Sequence, residues 1–360
     1  MQNKIKIIRS IFSARIHNQP YKFNFAITSA CNALCKTCNI GRIFRENPRI
    51  VEDDLSVDEI DKIFRSLPAS ITWLSLSGGE PFLREDLVDI CQKATKRISS
   101  LSLISIPTNG LLEKDVIQKT KSILRLPIKN LFLNFSLDGP PDIHNYLRGV
   151  PNAFSKTWET YQKILALSQQ DSRLHVNIET TISRYNIDLL GDFFKKLTAQ
   201  KHKITVTIAH TGFLYKNTHS KKNFVNLGKD KRELRKIIKI VEKSLSFYSP
   251  NDLIERIYLN KILEFYKNPK QQPCPCVALK SSLAMDPKGN ITPCFMWGKT
   301  LGNLREYNYN FRDFIKDNRR EIARVKKIIQ EQHCPNCWTP CEAYQSIINE
   351  LANGHFRGLI

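Results

Sequence analysis

The chain has 360 residues, 41% of them hydrophobic, enough to bury one large core or one large and one small core. Lysine and arginine number 55 against 34 acidic residues, giving a net charge of +21, and no acidic residue precedes Glu46. Such an excess attracts anions without choosing among nucleic acid, anionic lipid and acidic protein. No apolar run is long enough to span a bilayer, and basic residues interrupt the N-terminal isoleucines, which argues against a secretory signal.

Ten cysteines are the unusual feature of the composition. They form two groups, Cys31 to Cys38 and Cys274 to Cys341, with Cys91 alone between them. We expect a cytoplasmic protein, and in a reducing compartment clustered cysteines are more often metal ligands than disulfides. Cys91 falls in a predicted helix and is most simply a buried core residue.

The first 20 residues place isoleucines and Phe12 on one helical face, with lysine and arginine opposite. This pattern predicts a basic amphipathic helix over residues 1–20 that packs on the domain or lies on a membrane surface. Packing is the commoner outcome, and peripheral membrane contact through residues 1–20 is the alternative.

Short β-rich runs alternate with amphipathic helical stretches from residue 21 onward. Such alternation builds a parallel sheet through right-handed crossovers, and six units predict an α/β fold, a partial (β/α)6 TIM-like barrel over residues 21–215. Ser56, with Glu59 three residues on, predicts a capping box at the start of one helix. The predicted strands are residues 21–28, 71–77, 101–107, 130–137, 174–183 and 203–210.

Three further segments follow the predicted barrel. Residues 216–270 are lysine-rich and predict a helical connector with a solvated face. No nucleic-acid partner is expected, because aromatic residues are not interleaved with these charges. Residues 271–345 predict a small C-terminal α+β module with six cysteines, a Gly289-Asn290 turn between strand-like segments and a helix over residues 311–330. Residues 346–360 are a predicted tail.

A polar motif follows each of the first four predicted strands, at the edge where parallel barrels bind ligands. The first is the cysteine trio, Cys31, Cys35 and Cys38. Three thiolates on one loop can hold three irons of a [4Fe–4S] cube and leave the fourth iron open. A zinc ion with a fourth ligand is the alternative, which the lack of a nearby histidine disfavours. The other motifs are Ser77-Gly-Gly-Glu-Pro81, Pro107-Thr-Asn-Gly110 and Ser136-Leu-Asp-Gly139.

Together the four motifs resemble those of the radical S-adenosylmethionine (SAM) enzymes, over roughly residues 21–345. The resemblance implies that the trio holds a [4Fe–4S] cluster whose open iron is chelated by the amino and carboxylate groups of SAM. It further implies that one electron from the reduced cluster cleaves SAM and that the 5′-deoxyadenosyl radical abstracts hydrogen from a substrate. An external electron donor of the ferredoxin or flavodoxin type is implied as well.

The resemblance also assigns SAM contacts residue by residue. Asp138 would face the ribose, with an Asp-Gly turn as its alternative role. Thr37 departs from the family pattern, in which the residue before the third cysteine is usually aromatic. The remaining implied contacts are Gly78, Gly79 and Glu80 with the methionyl amino group, and Ser136 and Arg148 with the carboxylate.

The C-terminal cysteines resemble the auxiliary-cluster extensions called SPASM and Twitch. Two cubes with four thiolates each need more cysteines than the six present, so one auxiliary [4Fe–4S] cluster is the implied content. Cys341 in place of Cys337, a partial second site of Cys341 with Cys274 and His333, and a structural zinc are the alternatives. The implied ligands, called the auxiliary cysteines below, are Cys276, Cys294, Cys334 and Cys337.

We therefore predict a radical SAM oxidoreductase whose auxiliary cluster takes up the electron left after hydrogen abstraction. One auxiliary cluster favours a small-molecule substrate, and the basic N-terminus also permits a lipid-linked one. A peptide maturase is the first alternative; only about twenty residues precede the first strand, too few for the winged-helix domain that usually binds leader peptides. A noncatalytic iron–sulfur or zinc scaffold is the second.

Few other residues are candidates for catalysis. Sulfatase-maturating relatives place an acid after the cysteine that matches Cys294, where this chain has Phe295. Asp286 and Glu179 are the remaining candidate bases. Core or surface roles are expected for the four histidines without a visible partner, His144, His175, His202 and His210.

Overall fold

A computed structural model of the chain describes residues 19–217, 225, 227–246 and 248–354. The predicted N-terminal helix lies outside these residues except for its last two positions. Every helix in the described part of the chain is too short or too polar to cross a membrane.

Six parallel strands build the barrel, and all six strand predictions are confirmed, with ends that differ by one or two residues. Each strand pairs with the next along the chain, so the spatial order from β6 to β1 follows the sequence. Such pairing requires a crossover between successive strands, and helices supply it here. The strands are β1 Lys22–Thr28, β2 Trp73–Gly78, β3 Leu103–Thr108, β4 Leu131–Ser136, β5 Leu174–Ile182 and β6 Ile204–Ile208.

Seven helices accompany these strands within the described residues. The predicted capping box is present: Glu59 N donates to Ser56 Oγ over 3.4 Å, and Ser56 N donates to Glu59 Oε2 over 2.7 Å. Phe64 of the helix that this box opens packs edge-on against Phe25 of β1, which fixes the helix on the sheet. The helices are α1 Ile40–Glu46, α2 Val57–Ser66, α3 Leu87–Arg97, α4 Glu113–Leu124, α5 Pro141–Arg148, α6 Ala153–Ser168 and α7 Ile187–Ala199.

The C-terminal module does not form a separate sheet. Its first strand pairs in parallel with β1, Ser282 lying opposite Lys22, and two short antiparallel strands follow, which makes one nine-stranded sheet. The chain thus returns to the first strand of the barrel. The connector helices are α8 Leu227–Lys243 and α9 Pro250–Lys267, and the module's strands are β7 Ser282–Met285, β8 Asn290–Thr292 and β9 Gly302–Asn303.

The long helix predicted in this module and the tail predicted after it both differ from the structure. The helix expected over residues 311–330 is two helices, α10 Phe311–Asp317 and α11 Arg319–Gln330. They part at Asn318, whose Nδ2 donates to Phe314 O over 3.0 Å and to the Tyr307 hydroxyl over 2.9 Å. The tail expected from residue 346 begins inside α12 Pro340–Ala352, where Ile347 is wholly buried.

Helix α12 is held against the barrel by buried polar groups. Glu342 accepts hydrogen bonds from Ser282 Oγ over 2.6 Å and from Asn24 Nδ2 over 3.4 Å. The Lys22 ammonium, itself buried, donates to the Cys341 carbonyl over 3.1 Å. These contacts join α12 to β1 and β7, so the last helix depends on the first strand for its position.

Helices α9 and α12 also meet through the Glu255 carboxyl, which accepts a hydrogen bond from the Tyr344 hydroxyl. Burial raises the pKa of Glu255 to about 8, from an ordinary value of 4.5. Because the folded pKa lies above the unfolded one, the contribution of this carboxyl to stability is complete below about pH 4.5 and is lost as the pH rises through about 8.

We predict that Glu255→Gln removes this pH dependence, since glutamine stays neutral and still accepts the Tyr344 bond. The free energy of unfolding of the wild type should fall relative to that of the variant by roughly 1 to 3 kcal/mol between about pH 5 and pH 8. Urea unfolding followed by circular dichroism measures it. Glu264→Gln, at a half-exposed carboxyl on the same helix, is the control; parallel curves for wild type and Glu255→Gln would contradict the assignment.

Candidate functional site

A cavity of about 1500 Å³ runs through the barrel, with many polar side chains on its wall. Small-molecule sites usually enclose roughly 300 to 1000 Å³, so this one has room for two molecules. Successive side chains of each strand point to opposite faces, and the inward-facing ones form the cavity wall. In β1, Lys22 and Asn24 line the cavity, while Phe23 and Phe25 are buried on the other face. The alternation is visible in the sequence of β1, whereas the polar side chains of the interior follow from it only once the strands form a barrel. Other polar lining residues are Ser75, Ser105, Asn134, Asn177 and Thr205.

The cysteine trio lies on the loop between β1 and α1, called the cysteine loop below, and all three side chains line the cavity. Backbone N–H groups that lower the thiol pKa face all three sulfurs: that of Ala33 at Cys31, that of Cys35 at its own thiol and that of Ile40 at Cys38. Arg148 Nη1 lies 3.8 Å from Cys35 Sγ. Donors aimed at sulfur are how proteins tune cluster thiolates. The loop therefore fits a [4Fe–4S] cube.

Without a cation, the trio is an unfavourable place for thiolates. Burial raises the pKa of all three thiols, that of Cys38 to about 12. Iron bound to such thiols would hold them deprotonated. Within the described residues, no three His, Cys, Asp or Glu side chains are arranged to hold a single metal ion. In a [4Fe–4S] cube each thiolate binds a different iron. The lack of a single-ion site in the described residues therefore does not bear on a cluster at the trio.

The Gly-Gly-Glu-Pro loop after β2 packs directly on the cysteine loop. Gly79 N donates to Thr28 O over 2.9 Å, and Glu80 N donates to Ala30 O over 2.8 Å. A Cβ on Gly79 would lie 1.9 Å from Ala30 O, and Gly78 has a φ of +115°, which side chains rarely adopt. Both glycines are thus required for the two loops to touch.

Glu80 ties this pair of loops to a third. Its Oε1 accepts from Thr108 Oγ1 over 2.9 Å, and its Oε2 accepts from Asn109 N over 2.7 Å. Asn109 Nδ2 in turn donates to Asn32 Oδ1 of the cysteine loop over 2.7 Å. Burial raises the pKa of Glu80 to about 7, against the pull of these hydrogen bonds. Both carboxyl oxygens are therefore engaged by protein donors, although Glu80 lies at the cavity wall.

Ser136 and Arg148 line the cavity, and Asp138 lies behind them. Asp138 Oδ2 is 2.7 Å from Arg148 Nη2, and its Oδ1 accepts from Thr181 N over 3.0 Å. Asp138 thus orients the guanidinium instead of lining the wall. Among the described residues, Arg148 Nε and Ser77 Oγ are buried without a hydrogen-bond partner. Two orphaned groups at one wall are suited to a polar ligand such as a carboxylate.

The four auxiliary cysteines lie together in the C-terminal module. Cys294 and Cys334 lie close enough to Cys276 for their charges to raise its pKa. Cys276 and Cys294 raise the pKa of Cys337 in the same way. Backbone N–H groups of Met296 and Trp297 bond to the Cys294 thiol, as at the trio. These four cysteines, the set that the resemblance implies, thus lie near one another in the described structure.

The other two cysteines and His333 have different surroundings. Cys341 lines the barrel cavity, where Lys22 and Glu342 are its strongest charged neighbours. Cys274 is 2% exposed and lies near Lys261. The His333 side chain is 73% exposed. The described structure thus does not assemble the alternative site of Cys274, Cys341 and His333.

An apolar cluster separates the trio from the auxiliary cysteines. Cys31, Cys38, Cys294 and Cys337 all pack against it. The segment after β6 covers it, because Leu214 N donates to Phe295 O over 3.0 Å and Asn39 N donates to Tyr215 O over 2.9 Å. Tyr215 lines the cavity and carried no signal in the sequence beyond its position after β6. The cluster consists of Ala26, Ile40, Leu214, Ala284, Phe295 and Met296.

The candidate bases and histidines occupy different positions. Asp286 accepts from the backbone of Lys288 and Asn290 and so shapes the turn between β7 and β8. Glu179 lines the cavity beside Ser136 across the β4–β5 ladder. His210 lines it too and has a buried Nε2 without a partner in the described residues. His175 and His202 line the cavity as well, His175 on the Phe132 ring and His202 on the Tyr161 hydroxyl. His144 lies outside the lining and accepts a hydrogen bond from Asp138 N.

Residues 25–180 match the Radical SAM superfamily. The matched segment contains the trio and the motifs after β2, β3 and β4, and each of these groups contributes residues to the cavity wall. Over these residues, the chain is similar to the radical SAM superfamily.

Curated relatives match only part of the chain. The AdoMet-dependent heme synthase of Methanosarcina barkeri is 29% identical over 184 residues, 49% of this chain and 47% of that protein. The GTP 3′,8-cyclase of Mannheimia succiniciproducens is 29% identical over 146 residues, 39% of this chain and 42% of that protein. The chain therefore spans less than half the length of these relatives.

Solved structures share the fold over more of the chain. Native anSMEcpe with bound AdoMet, another name for SAM, superposes with a TM-score of 0.57 at 15% identity, covering 94% of this chain and 98% of that one. Streptococcus suis SuiB bound to precursor peptide SuiA gives 0.51 at 18% identity, covering 79% of this chain and 62% of that one. At these identities the likeness shows the fold alone, and it confirms the partial-barrel α/β fold.

We predict that Gly79→Ala weakens cluster binding at the trio, because the added Cβ forces the two loops apart at Ala30 O. Iron content after anaerobic reconstitution should fall by roughly half if the chain holds two cubes. Gly191→Ala is the control, since the atoms nearest to its added Cβ belong to the flexible Lys236 side chain. Wild-type iron content in Gly79→Ala would contradict the close approach of the loops.

Proposed function

We propose that the chain binds a [4Fe–4S] cluster through Cys31, Cys35 and Cys38, cleaves SAM reductively in the barrel cavity and abstracts hydrogen from a second molecule bound beside it. One observation carries this proposal: the trio and the orphaned groups of Ser77 and Arg148 line a single cavity that exceeds one ligand in size. The bound cluster and SAM would supply the radical chemistry.

The protein's own residues would position and shield these groups. The Ala33 and Ile40 N–H groups and the Arg148 guanidinium face the trio's sulfurs and would stabilise their negative charge. Asp138 holds that guanidinium, while Arg148 Nε and Ser77 Oγ remain available to a ligand carboxylate. The walls of the barrel would exclude water from a reactive intermediate.

We further propose that the auxiliary cysteines hold a second [4Fe–4S] cluster. Their mutual electrostatic contact and the N–H groups at Cys294 support this. Such a cluster would supply an electron acceptor, which makes an oxidoreductase the proposed class. The apolar cluster on which cysteines of both groups pack supports short-range communication between them.

A small-molecule substrate is proposed, because the cavity lies inside the barrel. Two of the curated relatives are named for small molecules, haem and GTP. A peptide is the second candidate, since anSMEcpe and SuiB, which share the fold, have structures with bound peptides. The proposal of a lipid-linked substrate rests on the sequence of residues 1–20 alone.

We predict about eight irons per chain after anaerobic reconstitution, four for each cube. Cys276→Ala/Cys294→Ala should retain about four irons and still release 5′-deoxyadenosine from SAM with dithionite, because the trio is intact. The triple alanine variant of the trio should release none. Iron and sulfide analysis and chromatography of the nucleoside measure these outcomes.

Cys341→Ala and Cys91→Ala are the controls for loss of any thiol. Both should keep about eight irons, since neither cysteine lies among the proposed ligands. Loss of about four irons in Cys341→Ala would show that Cys341 is a cluster ligand in place of one of the auxiliary cysteines. Release of 5′-deoxyadenosine by the triple variant would overturn the proposed function.

A further inference from the structure

We propose that the substrate enters the barrel at the end opposite the cysteine loop, and that Lys201 and Lys203 make this entrance selective for a molecule with a carboxylate or phosphate group. This inference rests on the proposed function, because it concerns the second molecule that the cavity would hold. The entrance, called the far mouth below, is defined by the exposed cavity-lining residues Gln169, Ser172, Gln200, Lys201 and Lys203.

The cavity runs the full length of the barrel strands. Beside β4 it is lined by Asn130, just before the strand begins, and by Ser136, the last residue of the strand. At about 3.3 Å per residue, the stretch between them spans roughly 20 Å. The trio lies beyond the carboxyl ends of the strands, so a substrate that enters where the strands begin would move along the barrel toward the trio.

The two ends of the cavity differ in exposure. The lining residues of the cysteine loop, and those of the loops after β2, β3 and β6, are all buried or half-buried. At the opposite end, Gln169 and Ser172 lie between α6 and β5, and Gln200, Lys201 and Lys203 lie between α7 and β6. All five are exposed. Within the described part of the chain, the cavity therefore meets solvent at the far mouth.

The two lysines of the far mouth have no acidic partner among the described residues. Lys195, earlier on α7, pairs with Asp192 over 2.8 Å, whereas neither Lys201 nor Lys203 forms such a pair. Lys203 directly precedes β6, and Thr205, which follows it on the same face of the strand, lines the cavity too. The charge of Lys203 thus lies at the start of the cavity wall.

The backbone of Lys201 is unusual for a lysine. Its φ is +61°, in the left-handed region. Lys201 N donates to Thr198 O over 3.0 Å and His202 N donates to Leu197 O over 3.1 Å, the two bonds of a Schellman motif at the end of α7. Glycine is the usual residue at this position, and a side chain there is strained. The strain is accounted for if the Lys201 ammonium serves a ligand at the mouth.

The carboxyls outside the cysteine end do not neutralise these charges. Asp252 and Glu255 line the cavity, but Asp252 Oδ2 accepts from Ser246 N over 2.9 Å, and Glu255 accepts from the Tyr344 hydroxyl. Neither carboxyl pairs with a lysine within the described residues. The unpaired charges of the far mouth are therefore positive, and lysine ammonium groups attract and bind carboxylates and phosphates.

Alkylation of Cys341 reports entry into the cavity, because this thiol lines the wall and lies outside the proposed cluster ligands. Iodoacetate and iodoacetamide are similar in size and differ in charge, so the ratio of their rates measures selectivity for anions. The reconstituted chain is treated with each reagent, and mass spectrometry of its peptides gives the extent of reaction at Cys341 alone.

We expect the ratio of iodoacetate to iodoacetamide rates to fall by about threefold or more in Lys201→Gly/Lys203→Gln, because the lysines raise the local concentration of an anion. Glycine suits the backbone at position 201, so this variant should not unfold at a lower temperature than the wild type. Arg235→Gln/Lys239→Gln removes the same charge from a basic groove on α8 that shares no residue with the cavity. The ratio for this control should match the wild type.

A second pair of variants locates the entrance. Ser172→Trp should slow both reagents severalfold, because the larger side chain narrows the far mouth. Gln170→Trp is the control, at an exposed position in the same loop that does not line the cavity.

Protection of Cys341 from iodoacetamide identifies the anion. Phenyl phosphate and benzoate are compared with benzyl alcohol, a neutral molecule of similar size. Stronger protection by phenyl phosphate would assign a phosphate group to the substrate, and stronger protection by benzoate a carboxylate. Equal protection by all three molecules would contradict the anionic class.

The remaining outcomes also decide the proposal. An unchanged ratio in Lys201→Gly/Lys203→Gln, or an equal fall in the groove variant, would overturn the role of the two lysines. Wild-type rates in Ser172→Trp, or no reaction of Cys341 in the wild type, would overturn the entrance. If the wild type released no 5′-deoxyadenosine from SAM, the proposed function would fail, while alkylation would still decide where anions enter.

Discussion

The site depends on one buried carboxylate. Glu80 accepts hydrogen bonds from Thr108 Oγ1 and Asn109 N, and Asn109 reaches Asn32 of the cysteine loop. The loops that follow β1, β2 and β3 are thereby bonded into one unit, although each contains little regular secondary structure. The glycines before Glu80 allow this contact, and Thr157 and Thr160 of α6 bond to the third loop from outside. Because unpaired buried polar groups are costly, loss of one partner destabilises the others.

Buried polar contacts also join the first strand of the barrel to the C-terminal helix α12. β7 pairs with β1, and Glu342 and Lys22 fix α12 against that pair. The auxiliary cysteines are therefore held by the barrel's own sheet, and both cysteine groups pack on one apolar cluster. A separate module on a flexible tether would not maintain such a contact. The fold thus accounts for how two groups of cysteines distant in sequence come to pack on the same apolar cluster.

The local patterns of the sequence predicted the six barrel strands, the capping box and the position of the trio after β1, since each depends on periodicity or spacing. Arg148 was named only through the family resemblance. Other features depend on contacts between distant residues. β7 has four residues, and only its pairing with β1 makes it part of the barrel sheet. The break at Asn318 arises from a side-chain bond to Tyr307. Spacing also left Cys341 among the ligand candidates, whereas the fold turns it toward the cavity.

The central claim is that a ligand can bind the open iron of a cluster at the trio. The most direct measurement is the electron paramagnetic resonance spectrum of the reduced, reconstituted chain in which Cys276 and Cys294 are alanine, recorded before and after SAM is added. The account predicts a change in the cluster signal, because the amino and carboxylate groups of SAM would alter the environment of the open iron. An unchanged spectrum at intact iron content would contradict it.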